Sequence, residues 1–123
     1  MLQRSTVIAA AWLEIVVGAI CVVFPGLLCA LLFAERPEGI AILLARFAGF
    51  GLLGLGIACL PSATTVPRRS IVGLLVFNVG VTVLFCWIGV ATSFHGILLW
   101  PVVILHGVIA AALLPQAMTT KGW

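Results

Sequence analysis

The chain has 123 residues, of which 64% are hydrophobic and 7% charged, with a formal net charge of +3 and a mean hydropathy of +1.39. Soluble domains carry about a quarter of their residues as charges. A water-soluble globule is therefore excluded, because its surface would be nearly as apolar as its core and would aggregate. The arginines are dispersed and form no groove-sized basic patch, which excludes nucleic acid as a partner.

Crossing a hydrocarbon core of about 30 Å takes about 20 helical residues. The first stretch of that length runs from about Ser5 to Phe24 and ends at Pro25-Gly26. It carries Glu14 and is followed by further runs of equal strength, so it reads as a retained span and not a cleaved leader. Residues 26–34 are apolar but too short to cross. The break at Pro25-Gly26 and the following Glu35-Arg36-Pro37-Glu38-Gly39 predict a short helix at the membrane interface, or else a continuation of the first helix past a kink. The second span runs from about Ile40 to Leu60, stopped by Pro61-Ser62. The third covers about Ile71 to Val90, and the fourth runs from Gly96 to Leu114, before Pro115. Helices are the economical way to satisfy backbone polar groups in lipid. The expected fold is all-α: one transmembrane domain over residues 1–123, built as a four-helix bundle.

Four spans place Arg4, Arg68, Arg69 and Lys121 on one side, opposite Arg36 between its two glutamates. The positive-inside bias then predicts that both termini are cytoplasmic, in a cell membrane of bacterial inner-membrane type. Of Trp12, Trp87, Trp100 and Trp123, Trp12 sits deepest for an interface anchor. Small residues lie in stripes: Ala10, Glu14, Gly18 and Cys21 on the first span, and Ala41, Ala45 and Gly49 on the second, with Gly51, Gly54 and Gly56 beyond. Such stripes let helix backbones approach in lipid.

Each span also carries one strongly polar group away from its ends: Glu14, Arg46, Asn78 and His106. At 1.5 Å per residue Glu14 and His106 lie near the midplane, Arg46 about 9 Å below the outer face, and Asn78 roughly 10–12 Å above the inner one. An unpaired charge at such depth costs several kcal/mol. The expectation is a Glu14–Arg46 ion pair in the bundle interior with Asn78 and His106 beside it, although Arg46 is the residue nearest an interface and the one best able to snorkel. Thr82, one turn from Asn78, with Trp100 and His95, are secondary candidates. The cluster reads either as a device that specifies helix pairing or as a proton or ligand site.

Other chemistries find less support. Cys21, Cys29, Cys59 and Cys86 all lie in apolar runs with no metal-ligand spacing, so they read as small apolar residues. His95 and His106, the two histidines, are eleven residues apart, about 16 Å along a helix, and cannot both ligate one haem iron. Ser5, Ser62, Ser70 and Ser93 lie near span ends and outside any nucleophile turn. With loops this short, an enzyme is disfavoured.

Two resemblances add to this. Ala11-Trp12-Leu13-Glu14-Ile15-Val16 is similar to the setting of the membrane glutamate on helix one of the small multidrug resistance transporters, which implies proton-coupled export through Glu14. The order of parts over most of the chain resembles small four-helix bacterial membrane proteins of DoxX-like type. It runs from Glu14, Gly18 and Pro25 through the short segment Leu27 to Phe33, then Ala45-Arg46-Phe47-Ala48-Gly49, Arg68-Arg69, Phe77-Asn78, Trp100 and His106. That resemblance implies the fold and a role as an accessory subunit, without catalytic residues. The sequence thus supports a non-enzymatic accessory or assembly component of a larger membrane complex, or a homo-oligomer. The rivals are a proton-coupled transporter or channel using Glu14, and a binder of quinone or lipid with His106 and Asn78 as polar handles.

Overall fold

The computed structural model describes residues 2–61 and 66–120. They form α1 (Leu2–Val23), α2 (Pro25–Phe33), α3 (Ile40–Cys59), α4 (Arg68–Ala91) and α5 (Leu99–Thr119). The four long helices have mean hydropathies of 1.8 to 2.4, and each is long and apolar enough to cross a membrane. Their outward faces carry Trp12, Phe47, Val76, Trp87 and Val108, all exposed. Lipid, and not water, is the solvent in which such side chains can remain uncovered. By length and apolarity the chain is a multi-pass membrane protein.

The spans fall where hydropathy puts them, with two informative departures. Residues 96–98 are not helical, and α5 runs on through Pro115 to Thr119. A proline costs a helix one backbone hydrogen bond. Here the turn beyond it is held by other contacts: Ala117 is buried in the core, Gln116 Nε2 donates to the Ala112 carbonyl at 2.9 Å, and Arg68 Nε donates to the Ala117 carbonyl at 3.0 Å. Arg68 opens α4, where the helix dipole disfavours a cation, and is compensated by reaching the carbonyl end of α5.

Packing divides the bundle into two close pairs, α1 with α3 and α4 with α5. Glycine makes the first pair. A Cβ on Gly56 would lie 2.6 Å from the Ala11 carbonyl oxygen, and one on Gly18 would lie 2.8 Å from that of Gly49. The backbones touch directly, gaining dispersion contacts that lipid cannot supply. By contrast Gly51 and Gly54 face open space, so half of the glycine pattern on α3 serves no packing seam.

The two pairs meet unevenly. At the end bearing the termini, Val7, Ala10, Ala11, Cys59, Ile71, Leu74, Leu113 and Ala117 from all four long helices form a closed core. Toward the other end the pairs splay and leave a cavity of about 500 Å³, which α2 covers. The predicted short apolar segment is thus a true helix, started by Pro25 at its first turn and ended by Ala34 in the left-handed region (φ 58°). Its Leu28, Cys29, Leu32 and Phe33 line the cavity, so it is more than an interfacial strip.

The α4–α5 loop holds α2 in place. Gly96 and Leu98 donate backbone N–H bonds to the Leu32 and Leu31 carbonyls, both at 2.9 Å, satisfying acceptors that the end of a helix leaves free. A Cβ on Gly96 would lie 2.1 Å from the Leu31 oxygen, so no other residue permits this approach. Gly96→Ala is expected to release α2. Amide hydrogen exchange over 28–33 should rise at least tenfold while exchange in α1 and α4 is unchanged; unchanged protection of α2 would contradict the assignment.

Candidate functional site

The cavity spans Leu13 to Cys21 on α1, Ala45 to Leu52 on α3, Phe77 to Phe85 on α4, and Val102 to His106 on α5 with Leu98 just before that helix. Eight residues of helix rise about 12 Å, so the space is elongated along the bundle axis. Its walls are aliphatic and aromatic, with Phe33 and Phe85 in edge-to-face contact (centroids 5.3 Å apart) near the α2 end. The polar groups Glu14 and His106 lie at the opposite end, where the closed core begins.

Glu14 is 1% exposed. Its Oε1 is enclosed without a hydrogen-bond partner, and no ion pair reaches it among the described residues. A buried polar atom in this state costs about 1–3 kcal/mol. Native folds keep few of them, and each calls for an explanation.

His106 is positioned by α4. Asn78, fully buried, donates from Nδ2 to the Leu74 carbonyl at 2.8 Å, which settles the direction of its amide. Oδ1 then faces His106 Nδ1 at 2.7 Å. An amide oxygen only accepts, so Nδ1 carries the proton. In the neutral ring Nε2 is consequently a bare acceptor, and no protein group satisfies it among the described residues. The ring also packs edge-on to Phe77, centroids 6.0 Å apart. Glu14 Oε1 and His106 Nε2 therefore bring two unpartnered lone-pair-bearing atoms to one end of an apolar chamber.

Of the expected cluster, the structure joins Asn78 to His106 and sets Glu14 on the same cavity as His106. It does not include Arg46. That residue is exposed, and the Glu14–Arg46 ion pair is absent. The reason is angular. With about 100° per residue, Gly49 and Gly56 define the stripe that meets α1, and the cavity-lining Ala45, Ala48 and Leu52 fall to one side of it. Arg46 falls about 60° to the other, so its stem leads outward, as snorkelling requires.

The secondary candidates also lie apart from the chamber. Thr82 Oγ1 donates to the Asn78 carbonyl at 2.7 Å within its own helix. Trp100 packs on Gly89, and His95 is exposed in the loop with Nε2 against the Thr92 carbonyl. The four cysteines are free thiols; Cys21 lies on the wall and bonds the Ala45 carbonyl through Sγ at 3.0 Å. Among the described residues no group of His, Cys, Asp and Glu is arranged to hold a metal. Two parts of the site were not foreseen: α2 as its cover, and Ala45, not Arg46, as the α3 residue facing it. A weak signal for the first existed in Gly96, which breaks the start of the fourth span.

Comparison with protein-family models, curated proteins and solved structures yields no match to this chain.

Proposed function

We propose that the protein binds an elongated apolar small molecule, lipid-like or isoprenoid, in the chamber between its two helix pairs, with Glu14 and His106 at the polar end. One observation carries this: an apolar cavity of about 500 Å³ ends on a buried carboxyl group whose Oε1 has no partner among the described residues. That volume lies within the ordinary range of small-molecule sites, which pair apolar walls with a few convergent polar groups. A bundle made only to specify packing gains nothing from such a void, since its lining forfeits dispersion contacts. The positive-inside bias supports a cytoplasmic position for the end bearing the termini, which would put α2 and the head of the loop from Thr92 on the outer side.

Ligand binding accounts for the site better than proton-coupled transport. A transporter must open Glu14 to the terminal side as well, and there Val7, Ala10, Cys59, Ile71, Leu74 and Leu113 close the bundle across all four long helices. A role within a larger complex remains compatible with ligand binding and with the DoxX-like order of parts.

The test is purification from native membranes in a mild detergent, followed by native mass spectrometry. The wild type is expected to carry one non-covalent apolar molecule per chain. Val102→Trp, which fills the chamber from α5, is expected to lose it while keeping its fold. A wild type that carries no ligand, or a variant that retains it fully, refutes the proposal.

A further inference from the structure

The polar end of the chamber contains information about its ligand that the apolar walls do not. Asn78 holds the His106 proton on Nδ1, at 2.7 Å from Oδ1, leaving Nε2 a lone pair to offer. Glu14 adds a carboxyl group whose Oε1 has no partner. No arginine or lysine reaches either group among the described residues: Arg46 points outward, and Arg68 is engaged with α5. An acceptor-rich pocket is poorly matched to a ligand that brings only further acceptors, because both sets would be desolvated and left unpaired. A phosphate head is the worst case, bringing charge and further acceptors to a site that no cation reaches among the described residues.

Depth narrows the choice further. The acceptors lie roughly 12 Å below α2, measured along the helices, at the inner limit of an apolar tunnel. A ligand that fills the chamber must carry its polar group through that tunnel or through the side of the bundle. A bulky, strongly hydrated head could not follow such a path at acceptable cost; a single hydroxyl or amine could.

We propose that the chamber selects amphiphiles whose head is a small hydrogen-bond donor, a hydroxyl or an ammonium group, with Glu14 and His106 Nε2 as the acceptors and Asn78 as the positioning residue. This rests on the ligand-binding reading above and specifies its chemistry. A hydroxyl donates to His106 Nε2 or to Glu14; an ammonium group can donate to both and would supply the cation that an ionised Glu14 needs. The oxidised, carbonyl-only form of a quinone is disfavoured, whereas its hydroxyl-bearing reduced form fits.

The experiment uses the full chain in lipid nanodiscs and three probes with the same tail: dodecanol, dodecylamine and dodecyl methyl ether. Occupancy is read by native mass spectrometry, with Val102→Trp giving the background from lipid partitioning. At least one of the two donor probes is expected to bind about tenfold tighter than the ether or better. If the preference is for the alcohol, the natural head is neutral; if it is for the amine and Glu14→Gln abolishes it, the head is cationic. Asn78→Leu frees the imidazole to change tautomer, and should erase the preference while leaving ether binding intact. In ¹⁵N NMR of His95→Gln protein, His106 should show Nδ1 protonated and Nε2 bare. Equal binding of all three probes by the wild type, with none by Val102→Trp, refutes donor selection and leaves the ligand reading standing. An Nε2–H tautomer also refutes it. Failure of every probe to bind refutes both proposals together.

Discussion

Gly56→Ala is expected to weaken the bundle, while Gly54→Ala, two residues away on the same helix, should leave it unchanged or strengthen it. The opposite signs follow from what an added methyl group meets. At Gly56 it would lie 2.6 Å from the Ala11 carbonyl oxygen and 3.0 Å from the Ile15 nitrogen. Both are backbone atoms, so α1 and α3 must separate along their length and lose contacts well beyond position 56. Overpacking of this kind costs about 1–3 kcal/mol, and the upper end applies where no side chain can swing aside. At Gly54 nothing lies within 4 Å, so the change only removes the helix penalty of glycine, about 0.5–1 kcal/mol. Reversible unfolding in mixed micelles would measure both. A neutral Gly56→Ala would show that α1 and α3 do not meet backbone to backbone at this position.

Glu14 and Arg46 should behave as strangers. Because Glu14 Oε1 is buried without a partner, Glu14→Met, which keeps the length and removes the polar atoms, is expected to stabilise the ligand-free protein by about 1–3 kcal/mol. Arg46 is exposed, and Arg46→Gln should change stability by less than about 0.5 kcal/mol, as surface positions do. The double variant should then be additive within roughly 0.5 kcal/mol. A coupling above about 1 kcal/mol would restore the ion pair that depth alone suggested. Glu14→Met should also lose its advantage once ligand is added, since the ligand stabilises only the wild-type site. That reversal of sign with ligand separates a binding carboxylate from one that merely survived in the core.

The contrast between these two residues shows where sequence reasoning stopped. Depth along a helix is a count of residues, so the levels of Glu14, Arg46, Asn78 and His106 could be read directly. Azimuth is not, because it depends on which stripe of each helix meets its neighbour. Both Gly49/Gly56 and Gly51/Gly54 are glycine pairs on α3, and only contact with α1 distinguishes the seam from the lipid face. Once the seam is known, Arg46 is carried outward and Ala45 inward with no further freedom. The Asn78–His106 bond joins adjacent helices; level alone did not single these two out as partners.

The cavity was beyond reach for a related reason. Its existence depends on the two helix pairs closing at one end and splaying at the other, a difference summed over many small contacts. No local pattern encodes that sum. The cover, α2, likewise depends on a backbone approach between Gly96 and Leu31, 65 positions apart along the chain, which is possible because Gly96 lacks the Cβ that would forbid it.

Hydropathy and helix length by themselves determined four apolar helices, the short segment between the first two, and the level of every polar group. These are one-dimensional properties, dictated by the need to satisfy backbone hydrogen bonds within each helix in lipid. Tertiary structure alone decided which faces meet, that no cation reaches Glu14 among the described residues, that His106 presents a lone pair, and that a cavity lies between the helix pairs. Helix contacts in lipid are chosen by shape at close range and not by a general drive to hide apolar surface, so composition is silent about them.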